Sequence, residues 1–156
     1  MSQSLSIKAR CMQRVMANLD TLVSSINPTP PGKVRGVSRE MDPLKVTSSL
    51  PWLMVYDGDE YEVGDGASER GRTYRFPLMI KILLADPRSL AEAKDLLVPE
   101  VQRVMESDLQ LNGLADTVEG GTETPFLSEV HKPEGGALVG YEIQYRRKYG
   151  DPYSTY

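Results

Sequence analysis

The densest set of side chains that could do chemistry is an acidic, glycine-rich stretch, DGDEYEVGDGASERG, at residues 57–71. Closely spaced carboxylates are typical calcium ligands, and an EF-hand loop alternates acidic residues over its first positions before an invariant glycine. Counted from Asp57, the place of the third acidic residue is taken by Tyr61 and that of the glycine by Glu62. The spacing therefore predicts a solvated acidic loop and no metal site.

The usual catalytic side chains are scarce. His131 is the only histidine and Cys11 the only cysteine. No nucleophile elbow surrounds any serine, and the glycines do not form a phosphate-binding G-x-G-x-x-G, so we interpret His131 as an exposed loop residue and Cys11 as a buried small hydrophobe. One cysteine excludes an intrachain disulfide and a thiolate zinc cluster, which suits a reducing cytosol. We predict no enzyme, no cofactor and no metal.

The charge balance argues against nucleic-acid binding. The formal net charge is −4, whereas a phosphate backbone is bound by a basic surface. We interpret the short basic run 146–148 as a solvated strand face. No apolar run approaches the ~20 residues that cross a bilayer, and residues 1–6 show no signal-peptide pattern. These observations predict one globular domain, residues 1–156.

The strongest pair of elements is a strand followed by a helix, residues 72–109. Apolar residues alternate along RTYRFPLMIKILL, which predicts a strand, and Met79 and Leu83 add apolar groups to its second face. We therefore expect a central strand that is largely covered on both faces. The next segment changes to helical spacing after the capping residues 86–92, and Pro99 predicts a kink or a restart of that helix.

The other elements include two further strong strands, over 50–57 and 137–149, and several weaker segments. They are a helix over 3–27, a weak strand over 33–39, a strand over 50–57, a long hairpin loop over 57–71, two short strands over 114–118 and 124–130 around a Gly120–Gly121 turn, and a C-terminal strand over 137–149 with a short tail. Locally paired strands with interspersed helices predict an α+β fold: a single antiparallel or mixed sheet of about four to six strands with two main helices packed on it.

The order of these pieces resembles the tail-terminator and related head–tail joining proteins of long-tailed bacteriophages. The resemblance covers most of the chain. It is carried by an N-terminal helix closed by prolines, the strand LPWLMVY (50–56), a long polar loop, the strand over 72–82, the helix segment AEAKDLL (91–97), the exit DLQLNG (108–113) and the closing strand YEIQYR (141–146). The Pro99 interruption and the glycine-rich turn at 119–123 have no counterpart in that pattern.

The resemblance implies a structural virion protein made in the host cytoplasm. Such a protein forms a homohexameric ring that caps the tail tube, ends its polymerisation and joins it to the head or neck. Its partners are copies of itself, the tail tube protein and a head-closure or adaptor protein, while phage DNA passes through the lumen without specific binding. Two alternatives stay open: another neck component (head-closure, adaptor or tail-completion protein), and a small cytosolic enzyme or ligand-binding domain.

We expect contact residues for a neighbouring subunit or the tube in the long loop. Tyr61 and Val63 are apolar groups in a solvated stretch, and tyrosine and arginine are enriched at interface hot spots. The candidates are Asp59, Tyr61, Val63, Arg70 and Arg72, followed by Tyr153 and Tyr156 in the C-terminal tail. We also hypothesise that Asp57, Asp59 and Glu60 line a lumen through which DNA slides, because like charges disfavour phosphate contact.

Overall fold

The computed structural model describes residues 5–25, 34–39, 51–64, 71–84, 90–127 and 135–155. In these segments the chain forms two helices and six strands. In chain order they are α1 (Ile7–Ser25), β1 (Gly36–Arg39), β2 (Trp52–Asp57), β3 (Tyr61–Glu62), β4 (Gly71–Leu84), α2 (Leu90–Glu106), β5 (Thr117–Leu127) and β6 (Gly135–Lys148).

The strands form one mixed sheet in the order β1-β2-β4-β6-β5, with β3 also paired to β4. Only β1 and β2 run parallel, and every other pair is antiparallel. The predicted α+β fold, with two helices on one sheet, is confirmed. The prediction that β4 is a central strand is also confirmed, because β4 is hydrogen-bonded to β2 on one edge and to β6 on the other.

One face of the sheet carries the main hydrophobic core. Both helices lay their apolar stripes on this face, because residues three and four apart share one side of a helix while alternate residues share one side of a strand. The buried residues include Ile7, Cys11, Met12, Val15, Leu19 and Leu22 from α1, Leu97, Val98, Val101, Val104 and Met105 from α2, and Leu53, Val55, Phe76, Leu78, Ile80, Ile82, Val139, Ile143 and Tyr145 from the sheet. Cys11 is fully buried, as predicted, and burial raises the pKa of its thiol to about 12.

The opposite face of the sheet is much less covered. The expectation that β4 is largely covered on both faces was therefore wrong. Met79 on β4 is 43% exposed and Pro77 is exposed as well. One end of this face is closed, where Met54 and Leu83 lie buried and Trp52 and Tyr56 pack against them. Both described helices pack on the other side. Apolar residues on two faces of β4 therefore do not indicate two covered faces.

The predicted loop over 57–71 is partly strand. Tyr61 and Glu62 pair with β4 opposite Arg75 and Tyr74, on the same edge of β4 that β2 occupies. The gap between β2 and β3 falls opposite Pro77, whose carbonyl accepts a 2.9 Å hydrogen bond from the Gly58 amide. In a strand, the N–H and the carbonyl of one residue point to the same neighbouring strand. Position 77 therefore needs an N–H directed toward the β2–β3 segment, and proline has none, so the hydrogen-bonded pairing is interrupted there.

The predicted Gly120–Gly121 turn is wrong, because both glycines lie within β5. The register with β6 shifts between Gly120 and Thr122, which makes this a β-bulge inside one strand. The two glycines have φ of +124° and +94°, backbone conformations that residues other than glycine rarely adopt. A Cβ at Gly120 would lie 2.5 Å from the Gly140 carbonyl oxygen. A glycine pair therefore inserts an extra residue here without reversing the chain.

Other predicted boundaries change less. α2 is a single continuous helix through Pro99, so the predicted restart is wrong. Pro99 itself lies on the exposed side of this helix. β6 ends at Lys148, one residue before the predicted end, and Tyr149 lies in the turn that follows. The ends of the predicted N-terminal helix, the helix cap at 86–89, residues 128–130 and His131 lie outside the described residues.

Candidate assembly surface

The acidic stretch begins with a carboxylate held by two cations. Asp57 ends β2, and its side chain is only 6% exposed between Lys8 Nζ at 3.1 Å and Arg39 Nη2 at 2.7 Å. Burial alone would raise the pKa of this carboxyl, but the hydrogen bonds and charges of Arg39 and Lys8 outweigh it and hold the pKa below its usual value. Asp57 therefore joins α1 to the β1–β2 edge of the sheet.

Glu60 is also used within the subunit. Its carboxylate accepts a hydrogen bond from the Tyr145 hydroxyl and a 3.0 Å hydrogen bond from Arg147 Nη1. The Arg147 guanidinium lies 3.8 Å from the centre of the Tyr74 ring, which stacks on Tyr145 with ring centres 6.0 Å apart. We call Glu60, Tyr74, Tyr145 and Arg147 the carboxylate clamp. It fixes the start of the acidic stretch to β4 and β6.

These contacts change the lumen hypothesis at the residue level. Of the three carboxylates in that hypothesis, Asp57 and Glu60 hold the subunit together. Asp59 is exposed, whereas Asp57 and Glu60 are partly buried. A lumen-lining role at this position therefore depends on Asp59.

The predicted loop contacts that the structure describes differ in their surroundings. Tyr61 is 50% exposed, and its hydroxyl donates a hydrogen bond to Glu142, a contact that raises the tyrosine pKa. Tyr61 is registered with Arg75, so it lies on the sheet face away from the helices. Val63 is half-buried, and its amide donates to the Thr73 carbonyl at 2.9 Å, which extends the pairing of β3 with β4. Arg70 lies outside the described residues.

Arg72 belongs to a second surface, at the end of the sheet where β4 begins and β6 ends. Its guanidinium pairs with Glu62 at 2.7 Å and lies 4.5 Å from the centre of the Tyr149 ring. Tyr149 is 66% exposed and Lys148 beside it is exposed. We call Arg72, Lys148 and Tyr149 the Tyr149 knob. Tyr149 was not among the predicted contacts; the aromatic-and-basic sequence YRRKY was the signal that could have found it.

The C-terminal tail is tied down beside this knob. The Ile7 amide donates a 3.0 Å hydrogen bond to the Pro152 carbonyl, and Arg10 Nη2 donates to the Tyr153 carbonyl at 2.6 Å. The tail therefore caps the first turn of α1, while the Tyr153 side chain stays 50% exposed. Tyr156, the other predicted tail contact, lies outside the described residues.

A shallow groove crosses the sheet face that the described helices leave uncovered. Its volume is about 680 Å³, and its walls are formed mainly by Tyr56, Pro77 and Met79 on one side and by Glu119, Gly140 and Glu142 on the other. The β-bulge at Gly120 adds to the second wall. Sequence reasoning missed this groove, because it depends on the register of β2, β4, β6 and β5 across the sheet.

The described residues contain no group of three or more histidine, cysteine, aspartate or glutamate side chains placed to hold a metal ion. Neither described helix has the length and apolar character to span a membrane. Tyr61 and Tyr149 are exposed at these two surfaces, and tyrosine is enriched at protein interfaces.

No protein-family model matches the chain, and no curated protein matches its sequence.

Proposed function

We propose that this protein is a tail terminator of a long-tailed bacteriophage. In this role it assembles as a homohexameric ring on the end of the tail tube, stops tube polymerisation and joins the tube to the head or neck. It acts through contacts with copies of itself, with the tube protein and with a head-closure or adaptor protein, and it resides in the virion. Phage DNA passes through the ring without specific binding.

The observation that supports this proposal most directly is the uncovered face of the sheet. Both described helices pack on one side, and the other side presents the groove together with exposed Tyr61 and Met79. Exposed aromatic and apolar side chains rimmed by charge favour binding to another macromolecule. The second exposed surface, the Tyr149 knob, favours a contact between two different surfaces, and such contacts form a ring when the rotation between neighbours closes.

Mass measurement of the purified protein tests the assembly. Light scattering after size exclusion, with and without purified tube protein, is expected to show a species of six subunits, and negative-stain images are expected to show rings. A protein that stays monomeric at every concentration, with and without tube protein, contradicts the proposal and favours a small monomeric binding domain or enzyme.

A polymerisation assay tests the terminator role itself. Tube protein that elongates freely is expected to stop at a defined length when this protein is added. A ring that binds the tube without stopping its growth indicates another neck component, such as a head-closure or adaptor protein. Localisation by antibody labelling at the head end of the tail checks the same point in virions.

A further inference from the structure

The groove contains a glycine that the described fold does not explain. Gly140 lies in the middle of β6, paired with Met79 on β4 and with Thr122 on β5. Its φ is not positive, and a Cβ built there meets no heavy atom of the described chain within 4 Å. Glycine within a strand destabilises it by about 0.5–1 kcal/mol relative to alanine. Such a glycine often marks a place where another group approaches the backbone closely.

The rim of the groove carries a second feature that is unfavourable in the isolated subunit. Glu119 on β5 and Glu142 on β6 are directly paired in the register. Like charges opposite each other on one sheet face destabilise the pair of strands. Glu142 also contacts Tyr61, and Arg75 Nη1 lies 3.7 Å from it, whereas Glu119 is exposed. A cation that arrived at this rim would relieve the repulsion.

We propose that the groove receives the Tyr149 knob of a neighbouring copy of this chain. The knob has the complementary chemistry: a 66% exposed tyrosine ring for the apolar walls and the Gly140 floor, and the adjacent Lys148 ammonium for the Glu119–Glu142 rim. A buried tyrosine removes about 150–250 Å² from water, so the knob acts as an anchor within a larger contact.

The contact must join two subunits, because the knob cannot reach the groove of its own chain. Gly140 and Lys148 lie eight positions apart on the same strand, which separates them by about 26 Å. A knob at one place and a groove at another make a head-to-tail contact, which can close into a ring. The inference thus deepens the proposed ring and depends on it.

Filling the groove tests the inference. Gly140→Val is expected to fold with a melting temperature at or above that of the wild type, because valine favours strands and a Cβ at this position meets no heavy atom of the described chain within 4 Å. The same variant is expected to weaken ring assembly by at least about tenfold, the size expected for loss of an aromatic anchor. Ala17→Val, which adds bulk on the exposed side of α1, is the matched control and should assemble normally.

The charges give a second, independent test. Glu119→Lys is expected to stabilise the monomer by removing the repulsion with Glu142, and to weaken the ring by repelling Lys148. Lys148→Glu is expected to weaken the ring as well. The double variant that exchanges the two charges should recover part of the lost assembly, because a charge pair couples the two positions.

Disulfide trapping tests the direction of the contact. Chains carrying Thr122→Cys and chains carrying Lys148→Cys, which keeps the Tyr149 ring, are mixed and oxidised; Cys11 is buried and does not interfere. A covalent dimer in the mixture, absent from either variant alone, supports the inference. Equal dimer formation by Lys148→Cys alone would mean a symmetric contact and overturns it.

The outcomes separate this inference from the proposed function. If the wild type forms rings and Gly140→Val and Tyr149→Ala form them equally well, the contact between knob and groove is overturned. The terminator proposal is then unaffected. A wild-type protein that forms no ring with or without tube protein contradicts both. Rings in the wild type, lost in both variants while the monomers stay folded, support both.

Discussion

At the residue scale, the long-range polar contacts decide what the acidic stretch does. Glu60 contacts Tyr145 and Arg147, which lie 85 and 87 positions away in the chain. The sequence shows Glu60 only as one of several carboxylates in a glycine-rich stretch. Its role follows from the register of β3, β4 and β6, which no local pattern encodes. For the same reason, the two cations around Asp57 could not be predicted.

Removing the carboxylate of the clamp is expected to destabilise the subunit. In Glu60→Ala the buried Tyr145 hydroxyl and the Arg147 guanidinium lose their partner, and an unsatisfied buried polar group costs about 1–3 kcal/mol. Urea denaturation measures the loss. Asp59→Ala, at the exposed neighbouring position, is the control and should change stability by less than about 0.5 kcal/mol. Equal effects of the two variants would contradict the clamp.

The Asp57 ion pairs predict a pH dependence of stability. The folded state lowers the pKa of this carboxyl below its ordinary value of 3.8. Its contribution is therefore present above pH 3.8 and is lost as the pH falls through the lower, folded pKa. The difference in free energy of unfolding between the wild type and Asp57→Asn should be largest near neutral pH and should shrink in that acidic range.

Urea titrations between neutral pH and about pH 3 measure this difference. Asp20→Asn, on the exposed side of α1, is the control and should change stability at neutral pH by no more than about 0.5 kcal/mol. A gap between the wild type and Asp57→Asn that is as large at pH 3 as at pH 7 is the result that would count against a charged, paired Asp57.

At the scale of elements, regular patterns predicted the structure well and irregular ones did not. α1, α2, β4 and β6 follow from hydrophobic periodicity, because each lays one apolar face on the same core. The Gly120–Gly121 pair did not decide between a turn and a bulge, since both require glycine at positive φ. The break opposite Pro77 and the short β3 depend on which strand lies beside β4.

The bulge predicts a steric effect at one glycine. Gly120→Ala is expected to destabilise the protein by more than the 1–2 kcal/mol typical of a left-handed non-glycine residue, because its Cβ would also lie 2.5 Å from the Gly140 carbonyl oxygen. Gly113→Ala is the matched control: its φ is +83°, and a Cβ there meets nothing within 4 Å among the described residues. Thermal unfolding compares the two. Equal losses would show that β5 relaxes around the added methyl group.

At the scale of the whole molecule, the sheet is asymmetric in both its faces and its edges. The helices cover one face, β4 and β6 are paired along both edges, and β1 and β5 are the outer strands. The sequence indicated the number of helices and the approximate number of strands. It did not indicate that both helices share one face, because an apolar residue such as Met79 looks the same in the sequence whether a helix covers it or it is exposed.

This asymmetry predicts the order of amide hydrogen exchange. The amides of β4 and β6 should exchange most slowly in the monomer, because opening them breaks the centre of the sheet, while those of the outer strand β1 and of the two-residue β3 should exchange faster. Mass spectrometry of pepsin fragments gives the rates. β1 amides as protected as those of β4 would be inconsistent with this topology.

The hydrogen bond from the Ile7 amide to the Pro152 carbonyl brings the two extremities of the described chain together at one pole of the fold. A short peptide could therefore bridge them, and a cut in the exposed turn at Asn112–Gly113 would create a circularly permuted chain with the same strand order.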